Sequence, residues 1–343
     1  MRRLLALLVL CAAAAGVYVW LAPAGPRTQT LVEIPAGTST RQIAVLLKGQ
    51  HLIRSRYAFE VMRLVRGGTL KAGEYRFDHP ARLSQVYGRL VRGDVYTLSV
   101  TIPEGANIFD IAQRLQVAHL VTQAAFLKAA GSQTALVRDL DPGASTLEGY
   151  LFPDTYHFAP SIKPEQVAAA MVRRFRLAAA ESGLPSAGVR RTVTLASLVE
   201  RETPIPAERA MVASVFLNRL KRGIPLMTDP SVIYAALLDG RYRGTIYQSD
   251  LASESPYNTY KHAGLPPGPI CNPGLASLRA AIAPAQTNYL YFVAATADPS
   301  GHSRFATTLE EHSRNVQVYR HSVAGVRLPA STGARPSGDQ DPR

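Results

Sequence analysis

Two carboxylates stand at the end of a long apolar run. Residues Val189 to Arg201 read Val-Arg-Arg-Thr-Val-Thr-Leu-Ala-Ser-Leu-Val-Glu-Arg, and the apolar stretch Leu195, Ala196, Leu198 and Val199 ends directly on Glu200. The periodicity predicts a helix, and a carboxylate at the end of a buried helix meets a desolvation cost on its charged form that raises its pKa. The retained proton suits a general acid at neutral pH, the group that protonates a leaving oxygen such as that of a glycosidic bond. Glu202 follows two positions on, about 200° around a helix, so the spacing predicts that the two carboxylates do not share a site. Taken alone, the segment reads more simply as a charged helix terminus.

Three further segments bear on that choice. Pro206 to Lys221 reads as a helix with a proline early and Gly223 beyond its end, and Met211, Val215, Phe216 and Leu220 form its apolar face. Leu226-Met227-Thr228-Asp229-Pro230-Ser231-Val232-Ile233-Tyr234 reads as a turn into an apolar helix. Asp229 before Pro230 is most simply the helix cap, or else a polar group placed near Glu200. The stretch Ser255 to Gly274 is dense in Pro, Gly, Tyr and Asn. A long loop of this kind is costly to order unless something is built with it, and tyrosines and amides offer sugars flat apolar faces and directed hydrogen bonds. An elaborate structural turn is the alternative.

The elements that must position these groups begin with an internal repeat. Val32-Glu33-Ile34-Pro35-Ala36-Gly37 returns as Val100-Thr101-Ile102-Pro103-Glu104-Gly105, 68 positions on, and the same offset carries Ile43 to Ile111, Leu47 to Leu115, His51 to His119 and Leu52 to Leu120. Each copy reads as a strand, a Pro-x-Gly turn and an amphipathic helix. The histidines recur in step, but a lone histidine after a helix is usually structural, so no metal site is expected. Ala124 to Arg138 reads as another helix, and a helical pattern resumes from Pro164 through Val167, Met171 and Phe175.

At the N-terminus, Arg2 and Arg3 precede an uncharged apolar stretch from Leu4 to Ala22. As a helix, roughly 19 residues span about 28 Å, close to the thickness of a bilayer's hydrocarbon core. The positive-inside rule then places everything after Ala22 outside the cytoplasm, with Tyr18 and Trp20 at the interface. A cleaved signal peptide ending at Ala22-Pro23-Ala24 is the competing reading. Both export the body of the chain.

Composition narrows the partners. Of 343 residues, 47% are hydrophobic and 18% charged, which suits a folded chain, while a net charge of +13 asks for an anionic environment. No zinc finger, helix-turn-helix or RNP-like aromatic motif stands out, so nucleic acid is not an expected partner. Cys11 lies in the apolar run and Cys271 in the Pro/Gly-rich loop, which makes a disulfide between them implausible.

Leu147-Glu148-Gly149-Tyr150-Leu151-Phe152-Pro153-Asp154-Thr155-Tyr156, Ala196-Ser197-Leu198-Val199-Glu200-Arg201-Glu202-Thr203, Thr228 to Tyr234, Tyr257-Asn258-Thr259-Tyr260 and Gly264 to Ile270, in this order, resemble the hallmark segments of the YceG-like family, the MltG type of endolytic murein transglycosylase. The resemblance runs from the N-terminal stretch to about Tyr319. It implies an α+β protein with a single N-terminal transmembrane helix, LysM-like β/α modules and a mixed α+β catalytic domain. Cleavage of the β-1,4 bond between MurNAc and GlcNAc in nascent glycan strands, leaving a 1,6-anhydroMurNAc end, is the implied activity. No cofactor is implied. The implied partners are peptidoglycan strands, the inner membrane and peptidoglycan synthases, with the catalytic domain periplasmic.

By the same resemblance Glu200 is the catalytic acid, and Asp229, Asn258, Tyr257, Tyr260 and Glu148 surround the cleft. A hydrolase ordinarily needs two carboxyl groups, whereas an anhydro-forming enzyme lets the sugar's own C6 hydroxyl attack, so one suffices. Met227 stands where the family often has glutamine. The expected division is a cytoplasmic stub and anchor over 1–27, a first repeat module over 28–97, and the start of a second over 98–123. A catalytic domain over 124–320 and a disordered tail over 321–343 complete it. The main rival is a noncatalytic wall-binding scaffold for cell-wall synthases. A pyridoxal phosphate lyase is disfavoured, because it needs a Schiff-base lysine and only Lys261 lies inside a hallmark segment.

Overall fold

A computed structural model describes residues 2–26, 28–296 and 301–326. The chain is a mixed α+β protein that divides into two compact units: 1–102 with 112–126 and 155–167, and 103–111 with 127–154 and 168–343. In chain order the elements are α1 (Arg2–Leu21), β1 (Thr30–Ile34), α2 (Thr40–Gly49), α3 (Arg56–Arg66), β2 (Gly73–Phe77), α4 (Leu83–Arg92), β3 (Leu98–Thr101), α5 (Ile108–Val117), α6 (Gln123–Ser132) and β4 (Thr155–Phe158). They are followed by α7 (Pro164–Ser182), α8 (Val189–Glu202), α9 (Arg209–Lys221), α10 (Asp229–Leu238), α11 (Gln248–Leu251), α12 (Leu275–Ile282), β5 (Tyr291–Ala294), β6 (Ser303–Ala306) and α13 (Leu309–Val326).

The repeat folds as read, and each copy turns out to be longer than its strand and first helix. Both run strand, helix, helix, strand, closed by antiparallel pairing of β1 with β2 and of β3 with β4. Ser39 starts α2 with a capping box, its hydroxyl accepting from the Gln42 N–H while the Gln42 side chain accepts from the Ser39 N–H. Val32, Ile34, Ile43, Leu47, Phe59, Tyr75 and Phe77 form a buried core between helices and hairpin.

The paired histidines have a backbone explanation. His51 and His119 both sit at φ 56°, the left-handed conformation just beyond the ends of α2 and α5. Leu52 N–H reaches back to Leu47 O and Leu120 N–H to Leu115 O, closing Schellman motifs with buried leucines beyond them. The recurrence therefore marks a helix stop.

Three expectations at the termini need restating. Among the described residues no helix is long and apolar enough to cross a membrane. Several side chains of the apolar stretch (Leu4, Leu5, Ala6, Leu8, Val9, Ala12, Ala13 and Ala15) lie outside the described residues. Trp20, assigned above to a membrane interface, packs with Val19 against the core of the first module, and Arg54 lies over the Tyr18 ring. At the other end α13 runs to Val326, so residues 321–326 are helical, and 327–343 lie outside the described residues. The helix expected over Ala124 to Arg138 ends at Ser132 and continues as a 3-10 turn over Thr134–Val137.

Because an exposed histidine at positive φ carries a steric cost that glycine avoids, His119→Gly should stabilise the protein by about 0.5–1 kcal/mol. A urea melt with a higher midpoint and an unchanged slope would show it. A lower midpoint would mean that the side chain itself contributes.

Candidate active site

Helix α8 carries the site because its central turns are buried all round: Val193 to Val199 are each at most 3% exposed. Its last turn delivers Glu200 and Glu202 to different places, and their surroundings differ in kind.

Glu200 is consumed by structure. Its Oε1 accepts from Arg209 Nη2 at 2.8 Å and its Oε2 from the Gly274 N–H at 2.9 Å. Both side chains of the ion pair are almost wholly buried, 4% and 6% exposed. Arg209 also reaches Glu104 at 3.4 Å. Burial raises the Glu200 pKa, opposed by the Gly274 N–H and the Arg209 charge. The carboxylate also sits at the N-terminus of α12, where the helix dipole favours it. Glu200 thus ties α8, α9 and α12 together, and it does not line the cavity described next.

Glu202 lines a cavity of about 380 Å³, a size suited to a small-molecule site. Burial, reinforced by the negative charge of Asp229, pushes its pKa up to about 7, while Arg201 and Arg219 oppose the shift. Thr228, Met227 and Tyr260 form one wall, Arg219 and Phe216 come from α9, and Tyr291 and His312 come from the β5–β6 hairpin and α13. Asp229 accepts from the Tyr260 hydroxyl at 2.6 Å, and burial with this bond raises the Tyr260 pKa. Arg219 is held by the Leu226 carbonyl at 3.3 Å and lies over the Tyr291 ring. The result is a proton-holding carboxyl beside a second acid, with cationic and aromatic walls.

Two of the hallmark segments are one clasp. The Thr259 hydroxyl accepts from the Thr228 N–H at 2.9 Å and contacts the Ser231 hydroxyl at 2.8 Å, and the Met227 N–H donates to Thr259 O at 3.1 Å. This pins the 257–260 loop to the start of α10, which sets Tyr260 against Asp229. Thr228 is the cap residue of α10 and Asp229 its first helical residue, so the expectation of Asp229 as the cap is corrected. The Asp229 charge acts on Glu202.

The remaining expected cleft residues fall elsewhere. Asn258 is fully buried; its Nδ2 donates to Leu251 O and Ser253 O, and its Oδ1 accepts from the Tyr260 N–H. Both ends of that amide are spent on shaping the loop, leaving nothing for a ligand. Glu148 is buried too, accepting from the Ile108 N–H at 2.9 Å and from Asn272 Nδ2 at 2.8 Å. Burial pushes its pKa up to about 8. Tyr257 packs edge-on against Tyr234 at 5.1 Å and, with Glu148, walls a separate cavity of about 20 Å³, room for one water. Of the six residues singled out by sequence, Tyr260 lines the large cavity and Asp229 is bonded to it, while the other four do not line it.

Glu202 was legible in a different phase of the same helix. Leu195, Leu198 and Val199 precede it by seven, four and three positions, the spacing of one helical face. Arg219, Tyr291 and His312 had no motif to mark them, since α9, the hairpin and α13 bring them together only in the fold. Among the described residues no cluster of His, Cys, Asp and Glu could hold a metal.

Gly149 shows how tightly the hallmark segments fit. It has φ 88°, and a Cβ there would lie 2.4 Å from Pro269 Cγ and 2.9 Å from Val193 Cγ1. Gly149→Ala should therefore cost at least about 2 kcal/mol, from backbone strain and overpacking together, as measured by chemical denaturation. A near-neutral result would mean that the proline ring can move aside.

Comparison with known proteins gives the family of the chain. The profile of the YceG-like family matches residues 32–318. The chain is 34% identical over 313 residues to a protein of Bacillus subtilis named endolytic murein transglycosylase, covering 85% of each chain. It is 30% identical to a protein of the same name from Streptococcus pneumoniae, over 87% of this chain and 60% of the other. A crystal structure of a yceG-like protein from Listeria monocytogenes superposes with a TM-score of 0.54 at 33% identity, covering 84% of this chain and 99% of that one. The chain belongs to the YceG-like family.

Proposed function

We propose that this protein is an endolytic murein lytic transglycosylase whose catalytic acid is Glu202. The carrying observation is that Glu202 is the carboxyl of α8 that lines the large cavity, with a pKa of about 7. At that pKa a carboxyl holds its proton in much of the population at neutral pH and can take one back. Glu202 gives its proton to the oxygen between MurNAc C1 and GlcNAc C4, and that C1–O bond breaks. The carboxylate then takes the proton of the C6 hydroxyl as its oxygen bonds to C1, closing the 1,6-anhydro ring. No water is consumed, so a second carboxylate is not needed as nucleophile or base. Asp229 serves by its charge, keeping the proton on Glu202, and Tyr260 holds Asp229 in place.

This reading moves the acid two residues from Glu200. Glu200 is an anchor for Arg209 and Gly274, and its loss should act on stability. The family's names, the strand-helix-helix-strand order of each repeat copy, and the basic pair Arg2-Arg3 before an apolar helix support a larger picture. In it, LysM-like modules hold glycan, residues 1–27 anchor the chain in the inner membrane, and a catalytic region ending near residue 320 works in the periplasm close to peptidoglycan synthases.

Digestion of purified murein followed by mass spectrometry of the muropeptides tests the assignment. Wild type should yield anhydro-ended products. Glu202→Gln should lose at least about a hundredfold in rate at wild-type stability. Glu200→Gln should keep measurable cleavage but lose roughly 3 kcal/mol of stability, because it strands the buried Arg209 with only Glu104. The opposite pattern would return the role to Glu200, and wild-type products made by both variants would favour a scaffold.

The pH profile gives an independent check. Glu202 must be protonated to begin the reaction, so kcat/KM should fall as pH rises through about 7. Asp229→Asn removes the negative charge that raises the Glu202 pKa, so the falling limb should move toward lower pH, by roughly one unit. A limb that stays in place would exclude Asp229 as the charge that sets it.

A further inference from the structure

Helix α3 of the first module buries Ala58, Phe59 and Met62 and leaves a second apolar face in solvent. Tyr57, Val61, Leu64 and Val65 fall along one side of it, and Leu64 and Val65 are 85% and 75% exposed. Such a stripe on a folded surface calls for an occupant. Arginines flank it: Arg56 bonds the Tyr57 hydroxyl at 2.7 Å and lies over its ring, while Arg63 and Arg66 close the C-terminal end. Glu60 is the one acid of the helix. On the neighbouring α2, Arg41, Val45 and Lys48 are exposed at helical spacing, and Arg41 acts electrostatically on Tyr57, so the two helices share this face.

The second copy of the repeat supplies an internal control. Ser55 caps α3 by accepting from the Ala58 N–H, and Thr122 caps α6 by accepting from the Ala125 N–H. Aligned on those caps, Tyr57, Val61, Leu64 and Val65 correspond to Ala124, Lys128, Gly131 and Ser132. The fold of the module therefore does not require the stripe. The first copy, the one packed against the end of α1 through Val19 and Trp20, has it.

We propose that this face of α2 and α3 rests on an anionic phospholipid bilayer, with the apolar stripe in the headgroup region and the flanking cations on lipid phosphates. The inference rests on the reading of residues 1–27 as a membrane anchor, which holds the first module at the bilayer surface. A glycan is a poorer fit, because Val61, Leu64 and Val65 offer it no hydrogen bonds. A second copy is a poorer fit too, because a self-complementary contact would bring like-charged rims together. Aliphatic and tyrosine side chains ringed by Lys and Arg match an anionic interface.

The test uses the full chain reconstituted into vesicles, with Cys11→Ser and Leu64→Cys carrying an environment-sensitive fluorophore; Leu64 is exposed, so the label leaves the core intact. In vesicles containing phosphatidylglycerol the emission should shift to the blue and be quenched by spin-labelled lipid. Pure phosphatidylcholine should give much less of either. Replacing Arg56, Arg63 and Arg66 with Gln should weaken the response about fivefold per arginine removed. A chain that floats with the vesicles while the label stays in water would overturn the proposal and leave the anchor standing. Failure to float with any vesicle would sink both. A shift that needs no lipid and grows with protein concentration would assign the face to self-association, and one produced by soluble glycan fragments would assign it to the wall; either result overturns the lipid assignment.

Discussion

The buried ion pair between Glu200 and Arg209 is the interaction on which the rest of the site depends. Charges turned toward the interior at a helix end must be disposed of, and the last turn of α8 carries two carboxylates there, with Arg201 between them exposed. One is neutralised by a buried guanidinium and a backbone N–H, which fixes α8 against α9 and the first turn of α12. The other has no direct cationic partner among the described residues and faces a cavity, so the same burial that costs stability keeps a proton in place. Had both been paired, the helix end would be inert; had neither been, the folded state would carry two uncompensated charges.

Around that pair the long loop is ordered by groups that are themselves buried. Asn272 donates to Glu148 and to Ala106 O, and accepts from the Leu151 N–H. The Ile270 N–H donates to the Ser197 hydroxyl and Cys271 Sγ contacts Ser197 O, so the loop is stitched along α8 itself. The sequence segments that look most like a binding surface, rich in amides and carboxylates, are here mostly the scaffold. A buried polar group must be satisfied, and satisfying it consumes the hydrogen bonds a ligand would use.

The sequence made the architecture readable where local physics decides it. The repeat, the strand-turn-helix units, the extent of α8 and the stop of α9 near Gly223 all follow from periodicity and turn chemistry. Which carboxylate faces the cavity was not decided locally. Glu200 and Glu202 both extend apolar faces of the same helix, and the choice is made by Arg209, which lies seven residues beyond Glu202 in the chain and one helix away in the fold. Asn258 is opaque for the opposite reason: its type suits sugar recognition, but its Nδ2 serves the backbone carbonyls of residues 251 and 253, which meet it only when the loop is closed.

The clasp of Thr228, Ser231 and Thr259 has a property that its geometry alone does not express. It consists of hydroxyls and peptide groups, none of which gains or loses a proton anywhere in the range where carboxyls and imidazoles titrate. The wall that places Tyr260 against Asp229 is therefore indifferent to acidity, while the carboxyl it faces is sensitive to it. The shape of this cavity is thus held by atoms that do not titrate, and because they also place Tyr260 against Asp229, loosening the clasp would disturb the proton affinity of Glu202 along with the shape.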